Sequence, residues 1–224
     1  MNGTPRRWLA AVLTPVLCGL LAPLALADEP TQTVLVRGGK FESVLPPAAG
    51  VKEVSVADFH LDRTPVTNAQ FARFAQLHPE WQRDNVAALF ADTEYLSHWS
   101  SPAEPGAQLL DQPVVRVSWF AASAYCEARG ARLPSWYEWE YAEMTGATDL
   151  NLHDVTWEWV DDFAGMLVAG DNRQQSDPDA LRFCGPGGLT MEHKERYETL
   201  MRVALLSSMQ ARYTGPAMGF RCAE

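Results

Sequence analysis

Between Gly130 and Ala142 the chain reads GARLPSWYEWEYA, which places two tryptophans, two tyrosines and two glutamates within Trp136–Ala142. The Trp–Glu pairing returns at Thr156–Val160, TWEWV. These segments are too regular for chance and too short for a repeat architecture. The first is punctuated as a helix start. Ser135 stands at the N-cap after Leu133-Pro134, and Glu138, three residues on, completes a capping box. One of the two carboxylates therefore has a local task at a helix N-terminus. Glu140 and the aromatic rings remain to cover a neighbouring surface. The WEW tryptophans read as packing, since Trp is large and usually buried with its N–H satisfied.

The rest of the chain yields short elements of mixed type. Thr33–Arg37, TVLVR, alternates as a strand, with Gly38-Gly39 as its turn and Phe41–Leu45 as a returning partner. Val54–Leu61 reads as a further strand with Val54, Val56, Phe59 and Leu61 facing inward. Thr67 and Gln70 form a second capping box, Val66 and Phe71 a hydrophobic staple, and Phe71, Phe74 and Leu77 an apolar face that ends at His78-Pro79. A short helix is expected near 84–91 and a strand at Pro113–Val117. A helix follows over Trp119–Arg129, capped by Ser118 and closed by Gly130. Glu192–Met209 reads as a helix with Tyr197, Leu200, Met201, Ala204 and Leu205 on one side and its charges in solvent. Gly219–Cys222 reads as a terminal strand. No internal repeat, low-complexity tract or long linker divides the chain.

The first 27 residues differ from the rest. MNGTPRR is basic, an apolar run follows, and Ala25-Leu26-Ala27 offers a small-x-small cleavage site before Asp28. This predicts a signal peptide over residues 1–27, a short segment over 28–32 and a single domain over 33–224. Arg6-Arg7 suits either a Sec n-region or a twin-arginine signal. The expected location is periplasmic or secreted, with no stable membrane anchor after cleavage. The chain carries a formal charge of −10 and no Lys/Arg cluster, which argues against nucleic acid as a partner. Export to an oxidising compartment favours disulfides. Of the four cysteines, Cys18 would leave with the signal, so Cys126, Cys184 and Cys222 remain and one is unpaired or paired outside the chain.

Taken in order, VLVRGGKF, FHLDRTPVTNAQFARF, QPVVRVSWFAASAYCEARGARLPSWYEWEYA, TWEWVDDF and MGFRCA resemble the formylglycine-generating enzyme, or sulfatase-modifying factor, family. The resemblance implies an α+β, C-type-lectin-related single domain with much irregular structure. It is strongest toward a short periplasmic subgroup encoded beside copper nitrite reductases, through MLVAGDNR, FCGPGG and SSMQARYTGPAMGFRCA.

Two departures from the family pattern stand out. The oxidase members bind Cu(I) through two cysteines spaced C-x4-C before the GFR strand, and Cu(I) favours such soft thiolates. No C-x4-C occurs in this chain. The resemblance pairs Cys126 with Cys222 as a disulfide and leaves Cys184, in the glycine-rich FCGPGG segment, as the candidate catalytic or metal-binding thiol. His153 and His193 are weaker candidate co-ligands. The second departure is a shortened loop, Glu143–Thr156, where the family carries calcium ligands. Calcium needs six to eight oxygens, and Asp149, Asn151, Asp154 and Glu158 are what the sequence offers. Trp157 matches a position near the oxidase groove.

The functional expectation is an exported family member that is not a formylglycine-generating oxidase. It would serve a periplasmic protein client as an accessory or maturation factor, the client being a copper enzyme such as nitrite reductase. The alternatives are an oxidative tailoring enzyme of the same family and a lectin-like binding module. Calcium and copper are the candidate cofactors.

Overall fold

The computed structural model describes residues 32–45, 47, 51, 53–147, 157–163 and 196–224. The chain divides between Pro30 and Thr31, and all described residues lie in the unit Thr31–Glu224. The expected signal peptide, Asp154, His153, Cys184 and His193 lie outside the described residues.

The described elements are strands β1 (Thr33–Val36), β2 (Gly39–Glu42), β3 (Glu53–Val56) and β4 (Phe59–Asp62), helices α1 (Asn68–Leu77), α2 (Trp119–Ala128) and α3 (Trp136–Thr145), strand β5 (Trp157–Glu158), helix α4 (Tyr197–Ser207) and strand β6 (Met218–Gly219). Two single 3-10 turns, Pro79–Trp81 and Ala107–Leu109, punctuate the long stretch between α1 and α2. The fold is α+β, with three two-stranded ladders among the described residues: β1–β4 and β2–β3 antiparallel, β5–β6 parallel.

The β1–β2 hairpin expected at Gly38-Gly39 is absent, because each strand joins a different ladder. Neither glycine has a positive φ, so the pair is not there to make a turn. A Cβ on Gly38 would lie 2.3 Å from the Val56 carbonyl oxygen, and one on Gly39 would lie 2.4 Å from the Tyr141 hydroxyl. The glycines let the chain pass close to β3 and α3. The single strand expected over Val54–Leu61 is two strands broken at Ala57-Asp58. The break explains why Val54 and Val56, then Phe59 and Leu61, all point inward although their parity changes.

The helix caps stand as the sequence implies. Thr67–Gln70 and Ser135–Glu138 are both complete capping boxes, and the Ser118 side chain accepts from the Ala121 N–H. Gly130, with φ +74°, follows the α2 cap Arg129 in the left-handed region that glycine tolerates. Three other expectations fail. Leu77 is 79% exposed, and Ala72 and Ala75 complete the buried face of α1 instead. Residues 84–91 form turns and no helix. Pro113–Val117 makes one isolated bridge, Thr67–Pro113, and no strand. Arg116 sits at φ +56° and gives its carbonyl to the N–H of Leu96, itself at φ +47°, which leaves no extended ladder for the segment to join. Side chains hold this irregular region in place. Buried Asn68 donates to the carbonyls of Leu109, Gln112 and Pro113 and accepts from the Trp99 indole at 2.7 Å.

The core joins Phe71, Phe74, Tyr125 and Phe220, whose rings meet at centroid distances of 5.3–6.1 Å. Trp136, Trp139 and Trp159 are fully buried beside it. The covering surface expected of the α3 aromatics is therefore the core itself. A disulfide, Cys126–Cys222, ties α2 to the C-terminal segment across 96 residues, as the family resemblance implies. The last residues are built into the domain. Glu224 exchanges backbone hydrogen bonds with His60, and Ala223 does so with Arg132. Among the described residues, no helix is long and apolar enough to cross a membrane.

Candidate functional site

The site is organised by the β5–β6 ladder. The Trp157 N–H donates to the Ala217 carbonyl and the Trp159 N–H to the Gly219 carbonyl. Pleating then separates the three side chains of the WEW run. Trp159 is buried and donates its indole N–H to the Val117 carbonyl. Trp157 stays partly exposed. Glu158 points inward, and its carboxylate is fully engaged. Arg221 Nε donates to both oxygens at 3.0 and 2.9 Å, Arg221 Nη2 donates to Oε1 at 2.8 Å, and the Trp139 indole donates to Oε2 at 2.9 Å. Arg221 Nη1 meets the carbonyls of Asp62 and Arg63. This is a buried ion pair with its hydrogen-bonding capacity used, the form in which such a pair is tolerated inside a protein.

Helix α4 packs over the ladder and α3. Thr199 Oγ1 donates to the Glu143 carboxylate at 3.0 Å, and Arg196 pairs with Glu140 at 2.9 Å. Glu140 also accepts from the Ser43 hydroxyl and from the Val44 N–H at 2.7 Å. One buried carboxylate thus links the segment after β2 to the start of α4. Burial pushes the Glu140 carboxyl above its usual range, against the opposing pull of Ser43, Val44 and Arg196.

Contrary to the solvated face expected for its charges, α4 turns Arg202 toward the interior. Its guanidinium carbon lies 4.0 Å from the centroid of Trp139 and 5.2 Å from that of Trp157. Burial lowers its pKa from the usual arginine value, partly offset by Glu158 and Glu143. The buried face of α4 is Thr199, Leu200, Val203 and Leu206, while Tyr197 and Met201, expected inward, are 62% and 43% exposed. The sequence reading missed Arg202, Arg221 and Trp139 as site residues. The 199/200/203/206 spacing was the available signal, because it rotates the apolar stripe and brings Arg202 to its edge.

Among the described residues the donors do not make a bis-thiolate copper centre. Cys126 and Cys222 are consumed by the disulfide and α4 carries no cysteine, while Cys18 and Cys184 lie outside the described residues. Among the described residues, no group of three or more His, Cys, Asp or Glu side chains comes together to hold a metal. Both Glu158 oxygens are directed at Arg221 and Trp139.

An α+β domain that pairs Trp157-Glu158 with Met218-Gly219, with Cys126 and Cys222 cross-linked, defines the class. Residues 21–166 match the sulfatase-modifying factor enzyme 1-like domain, and the chain belongs to that family. It is 36% identical over 121 residues to a Mus musculus protein named inactive C-alpha-formylglycine-generating enzyme 2, covering 42% of this chain and 39% of that one. It is 33% identical over 122 residues to the formylglycine-generating enzyme of Streptomyces coelicolor, covering 43% and 39%. A match of 33% over 152 residues to the serine/threonine-protein kinase Pkn1 of Chlamydia trachomatis covers 63% of this chain and 24% of that one. The chain thus matches less than half the length of each of these relatives.

Proposed function

We propose that this chain is an exported, non-oxidase member of the family that binds another exported polypeptide and assists its maturation, the client being a copper enzyme such as nitrite reductase. The observation that carries the reading is the sulfur inventory. Cu(I) oxidase chemistry in this family rests on two thiolates beside the groove. Here the two described cysteines form a disulfide, and the helix that precedes the GFR strand presents Arg202 to the tryptophans instead. The partly exposed Trp157 supplies a surface for polypeptide contact. The printed name of the mouse relative, an inactive family member, is consistent with loss of the oxidase chemistry.

The test has two arms. The purified protein, supplied with Cu(I) and reductant, is incubated with a cysteine-containing sulfatase-type peptide, and mass spectrometry should show no conversion to formylglycine. Apo nitrite reductase is then loaded with copper in its presence and absence, and loading should be faster in its presence. Peptide turnover would overturn the non-oxidase part. Unchanged loading, together with no complex by calorimetry, would overturn the client.

A further inference from the structure

Arginines set against the interior have buried counter-ions: Arg221 with Glu158, Arg196 with Glu140 and Arg129 with Asp62. Arg202 does not. Its Nη1 is shut off from solvent without a hydrogen-bond partner, and no ion pair joins it to any described residue. Buried polar groups are nearly always partnered, and a buried charge is costly unless it is. Glu143, an anion near enough to act on it, already accepts from Thr199, and Glu158 is neutralised by Arg221. The guanidinium lies over the indole rings of Trp139, at 4.0 Å, and Trp157, at 5.2 Å. Such stacking leaves the N–H edge as the part able to form directed bonds.

We infer that Arg202, stacked on Trp139 and Trp157, is a receptor for a carboxylate of the bound polypeptide. The inference deepens the polypeptide-binding reading and rests on it. A guanidinium edge and a carboxylate are both planar and meet in a two-pronged, charge-assisted pair. Arg202 lies among Glu143, Glu158 and Glu198, and the nearby Arg221 is committed to Glu158, which favours a singly charged carboxylate over a dianionic phosphate, whose recognition uses arginine clusters. The partial exposure of Trp157 brings the site to the surface. Tyr197 and Met201, four residues apart on one face of α4 and both exposed, supply apolar contact for the residues next to the carboxylate. The carboxylate comes from a chain terminus or from an Asp or Glu side chain.

Acetate is titrated into the full protein while the Arg202 Nε–H resonance and tryptophan fluorescence are followed. Both should respond saturably, and Arg202→Gln should weaken binding at least tenfold. Inorganic phosphate at equal ionic strength should bind more weakly. A wild-type Arg202 resonance that does not respond to acetate overturns the site even if Arg202→Gln fails to fold. Equal binding by Arg202→Gln, or phosphate binding as tight as acetate, overturns it too. Two apolar peptides distinguish the sources, one with a free terminus and one amidated with a single Glu. Preference for the first identifies a terminal carboxylate, preference for the second a side chain, and binding of neither overturns the polypeptide assignment. Acetate binding at Arg202 without any complex with nitrite reductase would remove the client and leave the site. The opposite pattern would remove the site alone.

Discussion

Arg221 and Glu158 form a fully enclosed ion pair at the junction of β5 and the C-terminal segment, three N–H···O contacts of 2.8–3.0 Å joining side chains that are almost wholly buried. They lie 63 positions apart in sequence. The pair closes the ladder that presents Trp157 on its outer side, so the geometry of the candidate site depends on it.

Glu158→Gln should therefore destabilise the fold strongly. It removes the Glu158 charge from the buried Arg221 guanidinium, a loss of about 3–5 kcal/mol. Urea denaturation followed by circular dichroism measures it. A loss below about 1 kcal/mol would show that solvent reaches Arg221 and that the pair is not enclosed.

Cys126 and Cys222 close a long loop. Loop closure of this length predicts that the double Cys→Ala variant loses about 3–5 kcal/mol relative to wild type. Non-reducing peptide mapping should recover the cross-linked pair. A Cys184 cross-link in its place would refute the pairing.

Glu140 gives a pH signature. Its folded carboxyl is raised above the ordinary value of 4.5, so the folded state holds its proton to higher pH than the unfolded state does. Below 4.5 the group is neutral in both states and costs nothing through ionisation. As pH climbs from there through the raised folded value, folding has an increasing penalty. The stability difference between wild type and Glu140→Gln should accordingly shift against wild type as pH rises across that interval. A difference that is flat with pH, or that shifts the other way, would contradict the assignment.

His98 has both ring nitrogens buried without a partner among the described residues, and burial together with Arg116 holds its pKa below 6.5. An unfolded chain therefore takes up the proton first, and stability should fall as pH drops from 6.5 through the depressed folded value. His98→Phe should remove that fall and be neutral or stabilising at pH 7, by up to about 1 kcal/mol. A large destabilisation at pH 7 would reveal a hydrogen bond that the ring makes.

What the sequence disclosed was what neighbouring residues decide. Ser135–Glu138 and Thr67–Gln70 could be read because both partners of a capping box lie within one turn. Gly38-Gly39 could not, since its purpose is clearance for Val56 and Tyr141, one a strand away and the other more than a hundred residues on. Pro113–Val117 has the composition of a strand but no edge to pair with, because the Arg116 carbonyl is given to Leu96. At the site, family resemblance pointed to Trp157 and Glu158. The 199/200/203/206 stripe of α4 places Arg202 at its edge, but the Trp139 surface that Arg202 meets comes from another helix, which no local pattern of α4 encodes.

Residues 222–224 set the order in which this domain can be assembled. Glu224 pairs with His60, Ala223 with Arg132, and Cys222 is bonded to Cys126. Domains generally acquire structure from the N-terminus while synthesis is still under way. This one keeps β4 and the end of α2 waiting for residues 222–224. Its core cannot close until those residues are made, so completion of the fold waits on a segment 96 positions beyond Cys126.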